Sequence, residues 1–347
     1  MQKPYKLFLP EMFRSMIAQK HIEEASHRVH TILQELSLTT DYPISSIVSD
    51  PTKAHFSGIV HDSQGKKLFI KIKLFDHPIT NSFFTINNIL GSILKDHPEF
   101  SLSTLTPKYI KGSSDYVLFE AIDGHDLGSR RYIDEFEMDS HELKQVITIF
   151  DAIQDFPTAK IPEEFRYSAW EIFLFFMYEL TKFHEEKKLF LHYIPEKTLK
   201  QLEDLRNNSY VKNLFDTSQN VICHFDFKPG NLVTSNQDLY IVDWDYCCVT
   251  NRYIDISFFY HNLASKPVLQ EEFLQYVKQK FTDKNESLML SFWLLVRAFV
   301  EIKVLINNKL SPEKKKISVE DPEKIIARNM KRIQQSLTEL EHTLKAH

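Results

Sequence analysis

The texture of the chain changes near Gly124, and that change limits what it can fold into. Before it, short apolar runs alternate with turn residues: Ile44–Val48, Phe56–Val60, Leu68–Phe75 after a turn at His61–Lys66, and runs near Lys108–Lys111 and Tyr116–Ile122. These read as strands. In Leu68–Phe75 the residues Leu68, Ile70, Ile72 and Leu74 share one face, and Phe69, Lys71, Lys73 and Phe75 the other. A helix is predicted over Phe83–Lys95, and a mostly helical extension over residues 9–36, with Met12, Met16, Ile17 and Ile22 among its apolar positions. Beyond Gly124 the pattern is helical over Ser140–Ile153, Ser168–Glu185, Glu196–Asn207, Val268–Lys280, Glu286–Asn307 and Asp321–Lys345, with a charged loop at Ser311–Lys316. A mainly antiparallel sheet followed by a helical remainder is an α+β arrangement. At 347 residues two lobes are expected, 1–122 and 123–347.

Charge and composition exclude several classes. The formal net charge of −5 argues against a nucleic-acid binder, which would carry a basic stripe. Three cysteines, two of them adjacent (Cys223, Cys247, Cys248), form neither a disulfide framework nor a zinc spacing, which suits a reducing cytoplasm. Residues 1–14 lack the apolar stretch and small-residue cleavage site of a signal peptide. Of the most apolar segments, Ile172–Tyr178 is too short to span a bilayer, and Phe292–Ile306 is interrupted by Arg297, Glu301 and Lys303. Both read as buried helices, and no membrane span is expected. Nothing in the sequence sets an oligomeric state.

One island interrupts the helical half. Val221–Cys223, Leu232–Thr234 and Leu239–Val242 are short apolar runs around polar loops, within Val-Ile-Cys-His-Phe-Asp-Phe-Lys-Pro-Gly-Asn-Leu-Val (221–233) and Leu-Tyr-Ile-Val-Asp-Trp-Asp-Tyr (239–246). Phosphoryl transfer from ATP needs a carboxylate to orient the attacking hydroxyl and take its proton, and oxygen ligands to hold Mg2+ against the phosphates. Asp226 suits the first task. Asn231 and Asp243 suit the second, as hard oxygen donors flanking a strand–turn–strand that can bring them together. Gly230 eases the turn of the loop. His224 by itself reads as a histidine bonded to backbone.

The spaced set His-x-Asp-x-x-x-x-Asn, followed by an apolar residue and Asp-Trp, resembles the aminoglycoside phosphotransferase and choline kinase family, whose fold is protein-kinase-like. The resemblance implies that Asp226 is the catalytic base, that Asn231 and Asp243 bind magnesium, and that His224 shapes the loop. Asp255, in Tyr-Ile-Asp-Ile-Ser (253–257), matches the acid that supports the loop in that family. Tyr116–Leu127 resembles the hinge strand, whose backbone near Glu120–Ile122 would meet the adenine, and Gly65–Phe75 resembles the strand carrying the ATP lysine. Lys71 fits that lysine best and Lys73 is the reserve; the bland alternative is that both are exposed strand lysines. The resemblance covers roughly residues 44–260. It implies ATP and Mg2+ as cofactors, a small-molecule hydroxyl as acceptor, and a two-lobed kinase fold with a small N-terminal sheet lobe.

Two departures stand out. The hairpin expected to cover the phosphates, about Val48–Gly58, has one glycine, leaving Ser49, Thr52 and Ser57 as donors. The helix after the lysine strand lacks the early glutamate that the family commonly pairs with the lysine, and Asn87 or Asn88 takes its place. These keep open a second reading, a catalytically weak pseudokinase or nucleotide-binding module. A protein kinase is disfavoured by Asp-Trp-Asp with no activation segment or Ala-Pro-Glu after it. For the acceptor, acids cluster at Asp134, Glu135, Glu137, Asp139 and Glu142, and the aromatics Trp244, Tyr246, Phe258, Phe259 and Tyr260 crowd the end of the island. Carboxylates with aromatic faces suit a cationic amine. Asp134, Glu135 and Asp245 are accordingly assigned to the substrate; a solvated acidic turn with ordinary core aromatics is the alternative.

Overall fold

The computed structural model describes residues 19–48, 54–128, 138–186, 192–310 and 322–344. Residues 9–18 of the expected N-terminal helix, Ser49 and Thr52, the acids Asp134, Glu135 and Glu137, and the 311–316 loop lie outside them. The chain divides into two compact units, each built from separate segments. One holds the described residues through Asp126 together with Thr148–Phe165 and Asn231–Cys248; the other holds Leu127–Ile147, Arg166–Gly230 and the chain from Val249 onward.

The first unit starts with helices α1 (Gln19–Glu35) and α2 (Ile44–Val48), then strands β1 (His55–His61) and β2 (Lys67–Lys73), helix α3 (Pro78–Asp96), and strands β3 (Tyr109–Gly112), β4 (Tyr116–Glu120) and β5 (His125–Asp126). The strand expected at Ile44–Val48 is a helix. Its apolar residues fall at Ile44, Ile47 and Val48, spacings of three and four that put all three against the core formed by Ile70, Ile72 and Leu118.

Strands β1 to β4 form an antiparallel sheet in the order β1-β2-β4-β3. The β1–β2 hairpin is set by Asp62, whose carboxylate accepts the backbone N–H groups of Gln64 and Lys66, and by Gly65 at φ +79°. Strand β2 sits between two partners and has apolar layers on both sides. One holds Phe56, Leu68, Ile70 and Ile72; the other holds Ile79, Phe83, Phe84 and Val117. Residues 70–73 are therefore buried on both faces, lysines included, rather than alternating. Helix α3 begins earlier than expected, because His77 caps it by accepting the N–H of Ile79 and Pro78 takes the first helical position.

The same unit contains a smaller sheet, β5-β7-β8, with β7 at Leu232–Ser235 and β8 at Asp238–Ile241. Asn236 and Gln237 join β7 to β8 with φ of 51° and 74°, a two-residue turn of the kind that matches strand twist. Gly124 lets the chain entering β5 lie on β7, since a Cβ there would stand 2.0 Å from the Thr234 carbonyl oxygen.

The second unit is mostly helical: α5 (Ala169–Glu186), α6 (Glu196–Arg206), α7 (Ser209–Thr217), α8 (Tyr253–Asn262), α9 (Pro267–Lys280), α10 (Lys284–Leu310) and α11 (Pro322–Leu344), with the start of α4 (Ser140–Asp155), whose residues from Thr148 belong to the first unit. Strand β6 (Asn220–Cys223) pairs with β9 (Cys248–Asn251). Part of the phenylalanine content goes to a centre where Trp170, Phe173, Phe215, Phe292 and Trp293 meet at centroid distances of 5.1 to 6.2 Å. Among the described residues no helix is long and apolar enough to cross a membrane.

Candidate active site

In the first unit, three sequence-selected residues converge. The β7–β8 register pairs Leu232 with Ile241, and the N–H of Val242 donates to the Asn231 carbonyl at 2.9 Å. Asn231 and Asp243 therefore sit at the same end of the hairpin, one just before β7 and the other two residues past β8. Asp243 has φ +70°, a conformation that a short polar side chain tolerates, and it breaks the strand into a short helical turn at Trp244–Tyr246. Into this end reaches Lys71 from β2. Its ammonium donates to the Asp243 carboxylate and to Asp245 Oδ1, at 2.5 Å from the latter.

Lys71 is the lysine that reaches Asp243. Lys73 is also buried, but it ends at Asp76 (2.7 Å), Asp115 (3.1 Å) and Asn81 (3.2 Å). Neither is an exposed strand lysine. Burial alone would lower the Lys71 pKa, but the two carboxylates outweigh it and hold the amine well above its ordinary value, so it stays charged. The acids differ in exposure: the Asp243 side chain is 38% exposed and that of Asp245 only 5%. An exposed carboxylate and an amide side chain at the same end of one hairpin are hard oxygen donors of the kind that suit Mg2+. Glu120 and Ile122, expected from the sequence to lie at the hinge, fall in the same unit. The Glu120 N–H donates to Lys108 O at 2.8 Å, and its carboxylate pairs with Lys66, which holds it below the usual range. Just past Ile122, the Ser235 hydroxyl donates to the Asp123 carbonyl at 2.8 Å and ties this segment to β7.

The second unit builds the loop that follows β6. Asp255, in the first turn of α8, accepts the His224 N–H at 2.6 Å and the Phe225 N–H at 2.7 Å, one on each carboxylate oxygen. Phe225 has φ +68°, an uncommon conformation for a bulky residue, and these bonds fix it. His224 is fully buried, and its Nδ1 accepts the Asp226 N–H at 3.3 Å. Phe227 is also fully buried, edge-on to Phe259 at 5.4 Å. Asp255 and Phe259 are one turn apart on α8, so a single helix face holds the loop backbone with one residue and its apolar anchor with the other. Burial pushes the Asp255 carboxyl up to about 7, against the two N–H bonds, and the Asp226 charge adds to the rise.

Between these anchors Asp226 is left 21% exposed, with Lys228 Nζ donating to its Oδ2 at 2.6 Å. Lys228 was passed over in the sequence. Its signal was a lysine two residues beyond the candidate base, inside the motif. Asp245, assigned to the substrate on composition, has its carboxylate on Lys71 and on Asn87 Nδ2 at 2.9 Å. Asp134 and Glu135 lie outside the described residues.

Solved structures share this fold at low identity. A macrolide 2'-phosphotransferase from Brachybacterium faecium superposes with a TM-score of 0.55 at 10% identity, covering 84% of this chain and 95% of that one. An ethanolamine kinase of Plasmodium vivax gives 0.51 at 14% identity, covering 94% and 96%. An amicoumacin kinase in complex with AMP-PNP and Ca2+ gives 0.55 at 15% identity, covering 92% and 96%. The likeness is one of fold, the protein-kinase-like fold expected from the motif. A curated relative, an uncharacterized protein of Metamycoplasma hominis, is 32% identical over 89 residues, which is 24% of this chain and only 17% of that protein's length. Residues 100–286, more than half of the chain and including both halves of the motif, match the model of the phosphotransferase enzyme family. The chain belongs to that family.

Proposed function

We propose that the protein transfers the γ-phosphoryl group of ATP to a hydroxyl of a small molecule, such as choline, ethanolamine, an aminoglycoside or a similar acceptor. The observation that carries this reading is the meeting of Lys71 with Asp243 beside Asn231, residues far apart in the chain. A permanently charged lysine stabilises phosphate oxygens. Asn231 and Asp243 would hold Mg2+, which when bound neutralises charge on the transferring group. The backbone at Glu120–Ile122 would meet the adenine. Asp226 orients the acceptor hydroxyl and takes its proton as the oxygen bonds to phosphorus and ADP departs. Lys228 donates to Asp226 Oδ2 and so helps hold that carboxylate in its charged form. His224 and Asp255 keep the loop in shape. The partnered Lys71 favours an active enzyme over a pseudokinase, since the lysine is held despite the missing glutamate. Three free, buried thiols suit the cytoplasm.

The test is a screen of amino alcohols, aminoglycosides and sugars for acceptor-stimulated ADP release with Mg2+. At least one acceptor should stimulate release. Failure of all of them, together with nucleotide affinity indifferent to Mg2+, would overturn the proposal.

A further inference from the structure

The family's usual partner for the lysine is missing from α3, yet Lys71 has a buried partner. We infer that Asp245 is the positioning residue for Lys71, held in turn by Asn87, so that the acid has moved from the helix to the turn beyond Asp243. This rests on the phosphotransferase reading and deepens it.

The geometry runs in a chain. Lys71 Nζ is 2.5 Å from Asp245 Oδ1. Asn87 Nδ2, on α3, donates to the same oxygen at 2.9 Å and also to the Phe83 carbonyl at 2.8 Å, which fixes the amide against its own helix. His55 Nδ1 stands 3.7 Å from Asp245 Oδ2. Lys71, Asn87 and Asp245 are all buried. An acid in that position cannot readily leave, because its removal would leave the buried ammonium with only the more exposed Asp243 as a carboxylate partner. Asp243 pairs with the same ammonium but is far more exposed, so it can turn toward a metal ion while Lys71 keeps a partner.

The two carboxylates therefore have different tasks. Asp245 holds the lysine in place, and Asp243 would be the acid available to hold a metal ion when nucleotide is bound. Without Asp245, Lys71 would have Asp243 as its remaining carboxylate, and Mg·ATP would have to break that pair in order to bind. Asn87 orients Asp245 by hydrogen bonding, which an asparagine can do and a glutamate in its place could not without setting two acids together.

The experiment is a double-mutant cycle on Mg·ATP affinity, measured by calorimetry on the full chain without acceptor. Asp245→Asn should weaken binding by about tenfold or more, the scale of one lost charge-assisted contact. Asn87→Ala should weaken it by a smaller factor, about threefold, and should add nothing in the Asp245→Asn background, because it acts only through Asp245. Asn87→Glu combined with Asp245→Asn returns the acid to the helix and should restore most of the affinity. A mere structural role for Asp245 would not be rescued in this way. Wild-type affinity in Asp245→Asn overturns the inference, as does additivity of the two losses. Loss without rescue in a folded double variant assigns Asp245 to the metal or acceptor instead, and also overturns it. Should Asp245→Asn not fold, Asn87→Ala alone decides: unchanged affinity sinks the inference and a loss supports it. A wild type that binds no Mg·ATP overturns the phosphotransferase reading itself, an outcome distinct from all of these.

Discussion

Replacing Asp255 with asparagine tests how the loop beneath Asp226 is held, and it does so through the pH dependence of stability. Asparagine keeps the size of the side chain but has one acceptor oxygen for two backbone N–H groups, those of His224 and Phe225. One N–H must then face an amide NH2, at a cost of about 1–3 kcal/mol. Against this, the wild-type carboxyl has a pKa raised by burial from 3.8 to about 7. A folded pKa above the unfolded one means the native state holds the proton more tightly, so the associated stability is complete below about pH 4 and falls as pH rises through 7. The shift of about three units corresponds to about 4 kcal/mol in total, of which about 3 kcal/mol falls between pH 5 and 8. The variant has no such group. Its stability deficit relative to wild type should be largest at pH 5 and shrink by pH 8. Urea unfolding at both pH values, followed by tryptophan fluorescence, gives the two deficits. A deficit that stays constant, or grows with pH, would show that the N–H bonds outweigh burial and would refute the reasoning.

Three further outcomes are expected. Asp226→Ala should lower kcat by about a hundredfold or more while Mg·ATP affinity, measured by calorimetry, stays at the wild-type value, because every residue proposed to touch nucleotide lies in the other unit. Asp243→Ala should abolish transfer and remove the Mg2+ dependence of nucleotide binding, whereas Asn231→Ala, losing a neutral ligand that water can partly replace, should be milder; a Mg2+ titration of nucleotide affinity separates the two. Neutralising Asp134, Glu135 and Glu137 together should raise KM for an amine acceptor and spare ATP kinetics, with the gap shrinking as salt is added. A wild-type KM in that variant, with a neutral sugar preferred, would remove the cationic acceptor and leave the phosphotransferase in place.

What the sequence made legible was local. The motif residues His224, Asp226 and Asn231 lie within one short loop, and Asp243 follows one hairpin later, so spacing alone carried them. The strand of Lys71 was visible from its apolar neighbours, but its burial on both faces was not, since that depends on where α3 and α2 pack. Short elements were the least secure: five residues at Ile44–Val48 fit either a strand or one helical turn, and helices α7 and α8 were missed. Helix α8 has nearly every residue buried, so it shows no polar face to give a period. Asp245 illustrates the larger gap. Its acidity beside aromatics suggested a cation, whereas its actual contacts, to Lys71 and Asn87, join segments 174 and 158 residues apart in the chain.

Moving the acid off the helix also changes what α3 controls. In the arrangement implied by the family resemblance the helix would hold the lysine directly. Here α3 holds the Trp244–Tyr246 turn, with Asn87 on Asp245 and, one turn earlier, Phe83 edge-on to Tyr246 at 4.9 Å. That turn begins at Asp243, so the metal-ligand candidate and the lysine partner ride on one short segment gripped by one helix face. On this reasoning a displacement of α3 would shift Lys71's partner and the metal acid together, keeping their spacing. With the acid on the helix, the same displacement would have separated them. Nucleotide affinity in this chain should therefore depend on the packing of Phe83 and Asn87 as a pair, although neither would touch the nucleotide.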